Sequence, residues 1–182
     1  MSAKLPIDIK AFMERVRGGR RLPFAIDGTK LESYPLYALG TALDFGAGGN
    51  AEPYTLSGWS HPEPGYRWTV GASAELCFAF SQPPGDLILS FKAKPHLGGK
   101  VEAQKISASW NGMLVGEWLV GKTHSYHALI FLPKTAGSMT GLLQFHLPLA
   151  FVPLSMNPAD DPRRLGLAFF DLVLRSTLDF GL

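Results

Sequence analysis

Twenty glycines and fourteen prolines are scattered along 182 residues, so almost every apolar segment is cut short by a turn. A chain punctuated in this way folds into many short elements, and where those elements show a two-residue period the elements are strands. The same punctuation excludes a coiled coil or a long helical bundle, and Ala/Glu/Lys/Leu/Arg heptads are also absent. With hydrophobic residues at 46% and aromatic residues at 12%, the chain has enough apolar surface to offset the entropy of ordering, which excludes a disordered chain.

From residue 73 onward the alternation is continuous. Leu76, Phe78 and Phe80 alternate with Cys77, Ala79 and Ser81. After Pro83-Pro84-Gly85, the residues Leu87, Leu89, Phe91 and Ala93 share one face, with Lys92 and Lys94 on the other. Ile106, Ala108 and Trp110 lead into Asn111-Gly112, a strong hairpin signal, and the return strand runs through Leu114, Gly116 and Trp118. Further strands are predicted from Ala128 to Leu132 and through Leu143, Phe145 and Leu147. The last, Leu165 to Leu174, changes phase between Phe169 and Phe170, which marks a β-bulge or burial on both faces. About eight strands with regular turn signals predict an all-β fold, a two-sheet antiparallel jelly-roll-like sandwich. Residues 20–72 hold few clean strands and read as a loop-rich segment that wraps the sheets or carries function.

The start of the chain reads differently. Leu5, Ile9, Phe12, Met13 and Val16 repeat at helical spacing and Gly18-Gly19 ends the pattern, which predicts one short N-terminal amphipathic helix. With Lys10, Arg15, Arg17 and Arg20 it forms a helix and basic stretch over residues 1–20, leaving 21–182 as a single sandwich domain. A net charge of +2 provides no field for nucleic-acid binding. The lone Cys77, inside an apolar run, reads as a buried inert thiol. No run approaches the ~18 apolar residues of a membrane span and no secretory leader follows Met1, so a cytoplasmic location is expected.

The residues that could carry catalysis do not fall into a recognisable pattern. His124 and His127 are three apart, which on a strand sends them to opposite faces, and no other histidine spacing suits a metal. The Gly-rich Asp44–Asn50 stretch lacks a phosphate-loop lysine, and no nucleophile elbow occurs. The expected protein is not an enzyme, although Glu63 and Asp161 would be the pair to consider for glycoside hydrolysis. Binding is better supported. The segment Gly58–Trp68 packs Trp59, Glu63, Tyr66, Arg67 and Trp68 into a turn-rich stretch. Aromatic rings cover the C–H faces of a sugar while carboxylates and guanidinium groups bond its hydroxyls. Trp59 and Trp68 read equally as core plugs, and Tyr66 is the ring most expected at the surface. Asp161 and Arg163 either pin their own loop or reach across to the Trp59 loop as a polar floor; Trp110 and Trp118, flanking the hairpin, are expected in the core.

Taken in order, Gly58-Trp59-Ser60-x-Pro62-Glu63, Trp68-Thr69-x-Gly71, Asn111-Gly112 and Asp161-x-Arg163-x-Leu165-Gly166-Leu167, with Leu43-Asp44-Phe45-Gly46-x-Gly48-Gly49-Asn50 ahead of them, resemble a bacterial accessory domain. That domain extends membrane glycosyltransferases and phosphoglycerol-transferase-like proteins, or stands free among proteins of surface-polysaccharide synthesis. The resemblance covers about residues 36–175 and implies a galactose-binding-like sandwich and a polysaccharide context. It also raises a structural calcium ion, for which Asp44, Asn50 and Glu52 could supply oxygens; no other cofactor is expected. The combined expectation is a non-catalytic carbohydrate-binding protein that holds a glycan or a sugar-linked precursor at Trp59, Glu63, Tyr66, Trp68, Asp161 and Arg163. The alternative is an assembly module that docks a glycosyltransferase, or a second copy, through the N-terminal helix or a sheet edge.

Overall fold

The structure is a computed structural model, and it describes residues 34–130, 138–153 and 161–180. The expected N-terminal helix and the Asn157–Asp160 part of the polar cluster lie outside those residues. Nine strands are present in the described residues: β1 (Leu43–Asp44), β2 (Arg67–Val70), β3 (Ser73–Ala79), β4 (Leu87–Pro95), β5 (Gln104–Trp110), β6 (Met113–Val120), β7 (His124–Ile130), β8 (Thr140–His146) and β9 (Leu165–Ser176). They form two antiparallel sheets. One runs β1-β9-β4-β7 with β2 also paired to β9, and the other runs β3-β8-β5-β6. No helix among the described residues is long and apolar enough to cross a membrane.

The alternation read from the sequence is what buries the core. Leu76 and Phe78 from β3, Leu87, Leu89, Phe91 and Ala93 from β4, Ile106, Ala108 and Trp110 from β5, and Leu143 and Phe145 from β8 all point into one apolar cluster. Phe91, Phe145 and Phe169 meet near its centre with ring centroids about 5 Å apart. Cys77 is buried, and its desolvation pushes the thiol up to about 11, which suits an inert side chain. The Asn111-Gly112 hairpin forms as expected: both residues take positive φ (48° and 80°), which a two-residue turn of this hand requires. The Asn111 amide then accepts from Leu142 N–H and donates to Thr140 C=O, so the turn is stitched to β8.

The strands differ from the sequence reading in two places. Strand β7 begins at His124, earlier than the Ala128 expected, because the half-buried Tyr126 and buried Ala128 alternate with the polar Ser125 and His127 in register with β4. Residues 67–70, expected to be loop, form β2 on the edge of β9. Their pattern is inverted relative to an ordinary half-buried strand. Arg67 and Thr69 point inward, while the rings of Tyr66 and Trp68 point out. Arg67 is tolerated inside because its guanidinium bonds Glu52, Thr55 Oγ1 and the Ser60 carbonyl; Thr69 Oγ1 accepts the Leu167 amide.

The phase change in β9 is a bulge. Lys92 pairs with Asp171 and Ala93 with Phe169, so Phe170 is the extra residue. Leu167 and Phe169 before it, and Leu172 and Leu174 after it, all reach the core, while Ala168, Phe170 and Asp171 are left on the outer face.

Packing between β5 and β8 is tight at one point. A Cβ added at Gly141 would sit 1.9 Å from Trp110 Cζ2, inside a ring that is itself fully buried. We expect Gly141→Ala to destabilise the fold by about 1–3 kcal/mol, the range that overpacking costs. Gly121→Ala, where the nearest atom to the new Cβ is 3.7 Å away, should leave the urea midpoint nearly unchanged.

Candidate functional site

The outer face of the five-stranded sheet gathers five of the six residues singled out from sequence. Its geometry follows from register. Trp68, Ala168 and Lys94 lie side by side across β2, β9 and β4. Ala168 has too small a side chain to separate its neighbours, so the Lys94 ammonium reaches across it to the rings of β2. It sits 3.6 Å from the Tyr66 centroid and 5.4 Å from that of Trp68. The bulged Phe170 closes the group, 5.9 Å from both the Tyr66 ring and the Lys94 ammonium. Lys92 approaches Phe170 from the next outward position of β4, at 5.4 Å. All three rings are half-buried, so each retains a share of water-facing surface.

The polar rim beside these rings is built by a tight turn. Glu63 and Tyr66 exchange backbone hydrogen bonds (2.8 and 3.2 Å) around Pro64-Gly65, and Gly65 takes φ 81°, the left-handed conformation such a turn demands. The turn sets the Glu63 carboxylate against the Tyr66 hydroxyl. That hydrogen bond, then burial and the nearby negative charge, push the phenol above its ordinary value. Arg163 meets Glu63 across the fold, with Nη2 3.4 Å from Oε1, and also grips Asp161 through Nε at 2.7 and 2.9 Å. The Arg163 guanidinium, mainly through these side-chain bonds, holds the Asp161 carboxyl below the usual carboxylate range. All three side chains are about one-third exposed, so the cluster is wet rather than interior. Thus Arg163 reaches the Gly58–Trp68 segment at Glu63, while Asp161 bonds Arg163 within its own loop.

Trp59 is placed elsewhere. Its ring stacks 4.9 Å from Phe45 and meets Phe169 edge-on at 5.3 Å, and its indole N–H donates to the Glu75 carbonyl. This tryptophan packs against the core, the plug that its loop position also allowed. On the other side of Trp68 the His96 ring lies edge-on at 5.8 Å and tilts against Phe151 at 4.6 Å. Burial lowers the His96 pKa, against the weaker raising pull of Asp161, so the ring is neutral at neutral pH. Lys94, Phe170 and His96 are site residues that the sequence reading does not single out. The signal for the lysine is its place on the polar side of an alternating strand; for Phe170 it is the phase change.

The residues considered for calcium are otherwise engaged. Asp44 Oδ1 accepts the Gly46 amide, Asn50 Oδ1 accepts the Asp44 amide, and Glu52 is paired to the buried Arg67 cation. A guanidinium already on the carboxylate competes with a hard cation for the same oxygens, so the donor set is a poor fit to calcium. The described residues contain no group of three or more His, Cys, Asp or Glu side chains that could hold a metal. Beside these residues a pocket of about 210 Å³ is lined by Asp44, Phe45, Glu52, Pro62 and Arg67 among others.

No protein-family model and no curated protein matches this chain. Among solved structures, it is similar to the C-terminal CBM6 of LamC from Zobellia galactanivorans, at 8% identity and a TM-score of 0.45, over 75% of this chain and 98% of that one. It is also similar to a family 35 carbohydrate binding module from Clostridium thermocellum (10% identity, TM-score 0.44, 76% and 100% covered). A third is the CBM22-2 xylan-binding domain of Paenibacillus barcinonensis Xyn10C (14% identity, TM-score 0.45, 75% and 99% covered).

The Tyr66–Glu63 bond gives a direct check on the rim. The phenol's raised value means that the stability it adds is present below its ordinary pKa of 10.0 and lost as pH rises through the raised value. Glu63→Ala should move the Tyr66 ionisation down, followed by phenolate absorbance and assigned by difference against Tyr66→Phe.

Proposed function

We propose that this protein is a non-catalytic carbohydrate-binding β-sandwich that takes a glycan on the outer face of its five-stranded sheet. The observation that carries the reading is the joint placement of Tyr66, Trp68 and Phe170 outside the core, beside a wet cluster of Glu63, Arg163 and Asp161. Turning large rings outward on β2 while an arginine is buried opposite them costs folding energy in both directions. A sugar accounts for that expense, since its C–H faces cover rings and its hydroxyls bond carboxylates and guanidinium groups. Trp59 then serves by fixing the loop that carries the Glu63 turn.

A hydrolase reading is less well supported. The two carboxylates a glycosidase would use, Glu63 and Asp161, are both bonded by the Arg163 guanidinium, which occupies the oxygens that would have to protonate or attack a sugar. The polysaccharide-synthesis context rests on the sequence resemblance. In that setting the protein holds a growing or sugar-linked chain near a glycosyltransferase, in the cytoplasm.

Titrating the protein with a panel of bacterial glycan fragments should change the tryptophan fluorescence. Tyr66→Ala and Trp68→Ala should each weaken binding by ~10- to 100-fold, the equivalent of uncovering one large apolar side chain. Trp59→Ala should instead cost about 3 kcal/mol of stability, as deletion of a core aromatic does. Absence of any response across the panel would overturn the proposal.

A further inference from the structure

From the charges on this face we infer that the glycan is acidic, with Lys94 receiving a negatively charged ring substituent while Tyr66, Trp68 and Phe170 cover the sugar. The inference rests on the carbohydrate reading and adds the ligand's charge. Its basis is how differently the cations of the face are partnered. Arg163 is tied to two carboxylates, Glu63 and Asp161. Lys94 is tied to none: among the described residues its ammonium makes no ion pair and no hydrogen bond, and its neighbours are three ring faces. Ring faces hold a cation but accept none of its three N–H donors fully. Lys92, the next outward residue of the same strand, is placed differently: it lies in register with Asp171 and its charge interacts with that carboxylate. The Lys94 ammonium therefore borders the rings with no carboxylate of its own.

The rim at the Tyr66 hydroxyl is charged the other way. Glu63, Arg163 and Asp161 together carry one net negative charge, and their free lone pairs suit hydroxyl donors. A sugar with one anionic substituent is oriented by this polarity: the anion lies toward Lys94 and Lys92, and hydroxyls lie toward Glu63 and Asp161. A neutral sugar would leave the Lys94 ammonium without a counter-charge. An anion at Lys94 adds a charge-assisted bond in a site where rings exclude part of the water.

The test uses the full chain and three probes: an oligogalacturonate, the same oligosaccharide fully methyl-esterified, and a sulfated galactan fragment, each titrated by calorimetry. Acid and ester share the sugar backbone and differ in the charge and the added methyl of each carboxyl, and the salt dependence reads the charge alone. The expected result is at least tenfold tighter binding of the acid than of its ester, narrowing when salt is raised from about 0.05 to 0.5 M as screening shortens the electrostatic reach. That preference should collapse in Lys94→Gln. Preference for the sulfated fragment with the same losses supports the inference with sulfate as the anion. Equal binding of acid and ester, with no preference for the sulfated fragment, overturns the acidic ligand and leaves the carbohydrate reading standing. A preference that survives Lys94→Gln undiminished overturns the assignment to Lys94. Failure of all three probes, together with the wider neutral panel, overturns the carbohydrate reading itself.

Discussion

Strand β9 bonds β4 along one side and β1 and β2 in succession along the other, so the outward residues of β2 and β4 take their relative positions from β9. A regular strand in that place would alternate strictly, and its core residues before and after Phe170 could not both face inward. The extra residue resolves the conflict. It lets Leu167 and Phe169, then Leu172 and Leu174, fill one core. The consequence on the other side is that Phe170 and Asp171, consecutive in sequence, both lie outside. The ring beside Tyr66 and the carboxylate opposite Lys92 thus come from one irregularity whose first effect is on packing.

The second constraint is the inversion of β2. A strand that buries Arg67 must satisfy its guanidinium, and three separate residues supply the acceptors: Glu52 and Thr55 from one turn, and the Ser60 carbonyl from the adjoining loop. Removing one partner from such a buried network leaves a charge that the interior cannot solvate. The network therefore fixes which way β2 faces, and Tyr66 and Trp68 are held outside by the burial of Arg67 between them. The Pro64-Gly65 turn extends the same logic by one step, bringing the Glu63 carboxylate to the end of the ring row.

Much of this was legible in the sequence, for a physical reason. Strands β3, β4, β5 and β8 send one face into the core along most of their length, and a two-residue period is what that burial writes into a chain. The Asn111-Gly112 pair names its turn because few residues tolerate two successive positive φ values. The phase change in β9 was visible since it displaces a row of large apolar residues. By contrast β2 was hidden, because its buried positions are Arg67 and Thr69 and its alternation reads backwards. Trp59 and Trp68 could not be told apart by composition. What separates them is an acceptor for the indole N–H: the Glu75 carbonyl serves Trp59 inside, while Trp68 sits beyond β9's small Ala168 and under the Lys94 ammonium.

The site residues also show why spacing alone was insufficient to assemble them. Glu63 and Arg163 are 100 residues apart, and they meet because β2 and the segment entering β9 run antiparallel at the same edge, where Gly71 N–H bonds the Arg164 carbonyl. A charge pair that distant carries no local signature. Lys94 joins them through a different route, across β9 from the far neighbour β4, and its position depends on Ala168 being small. Place a larger residue at 168 and the ammonium would be parted from the rings, leaving β2 with its aromatics and β4 with its cations as separate surfaces. The combination of apolar faces with an unpartnered positive charge is therefore a property of the sheet's register rather than of any single segment.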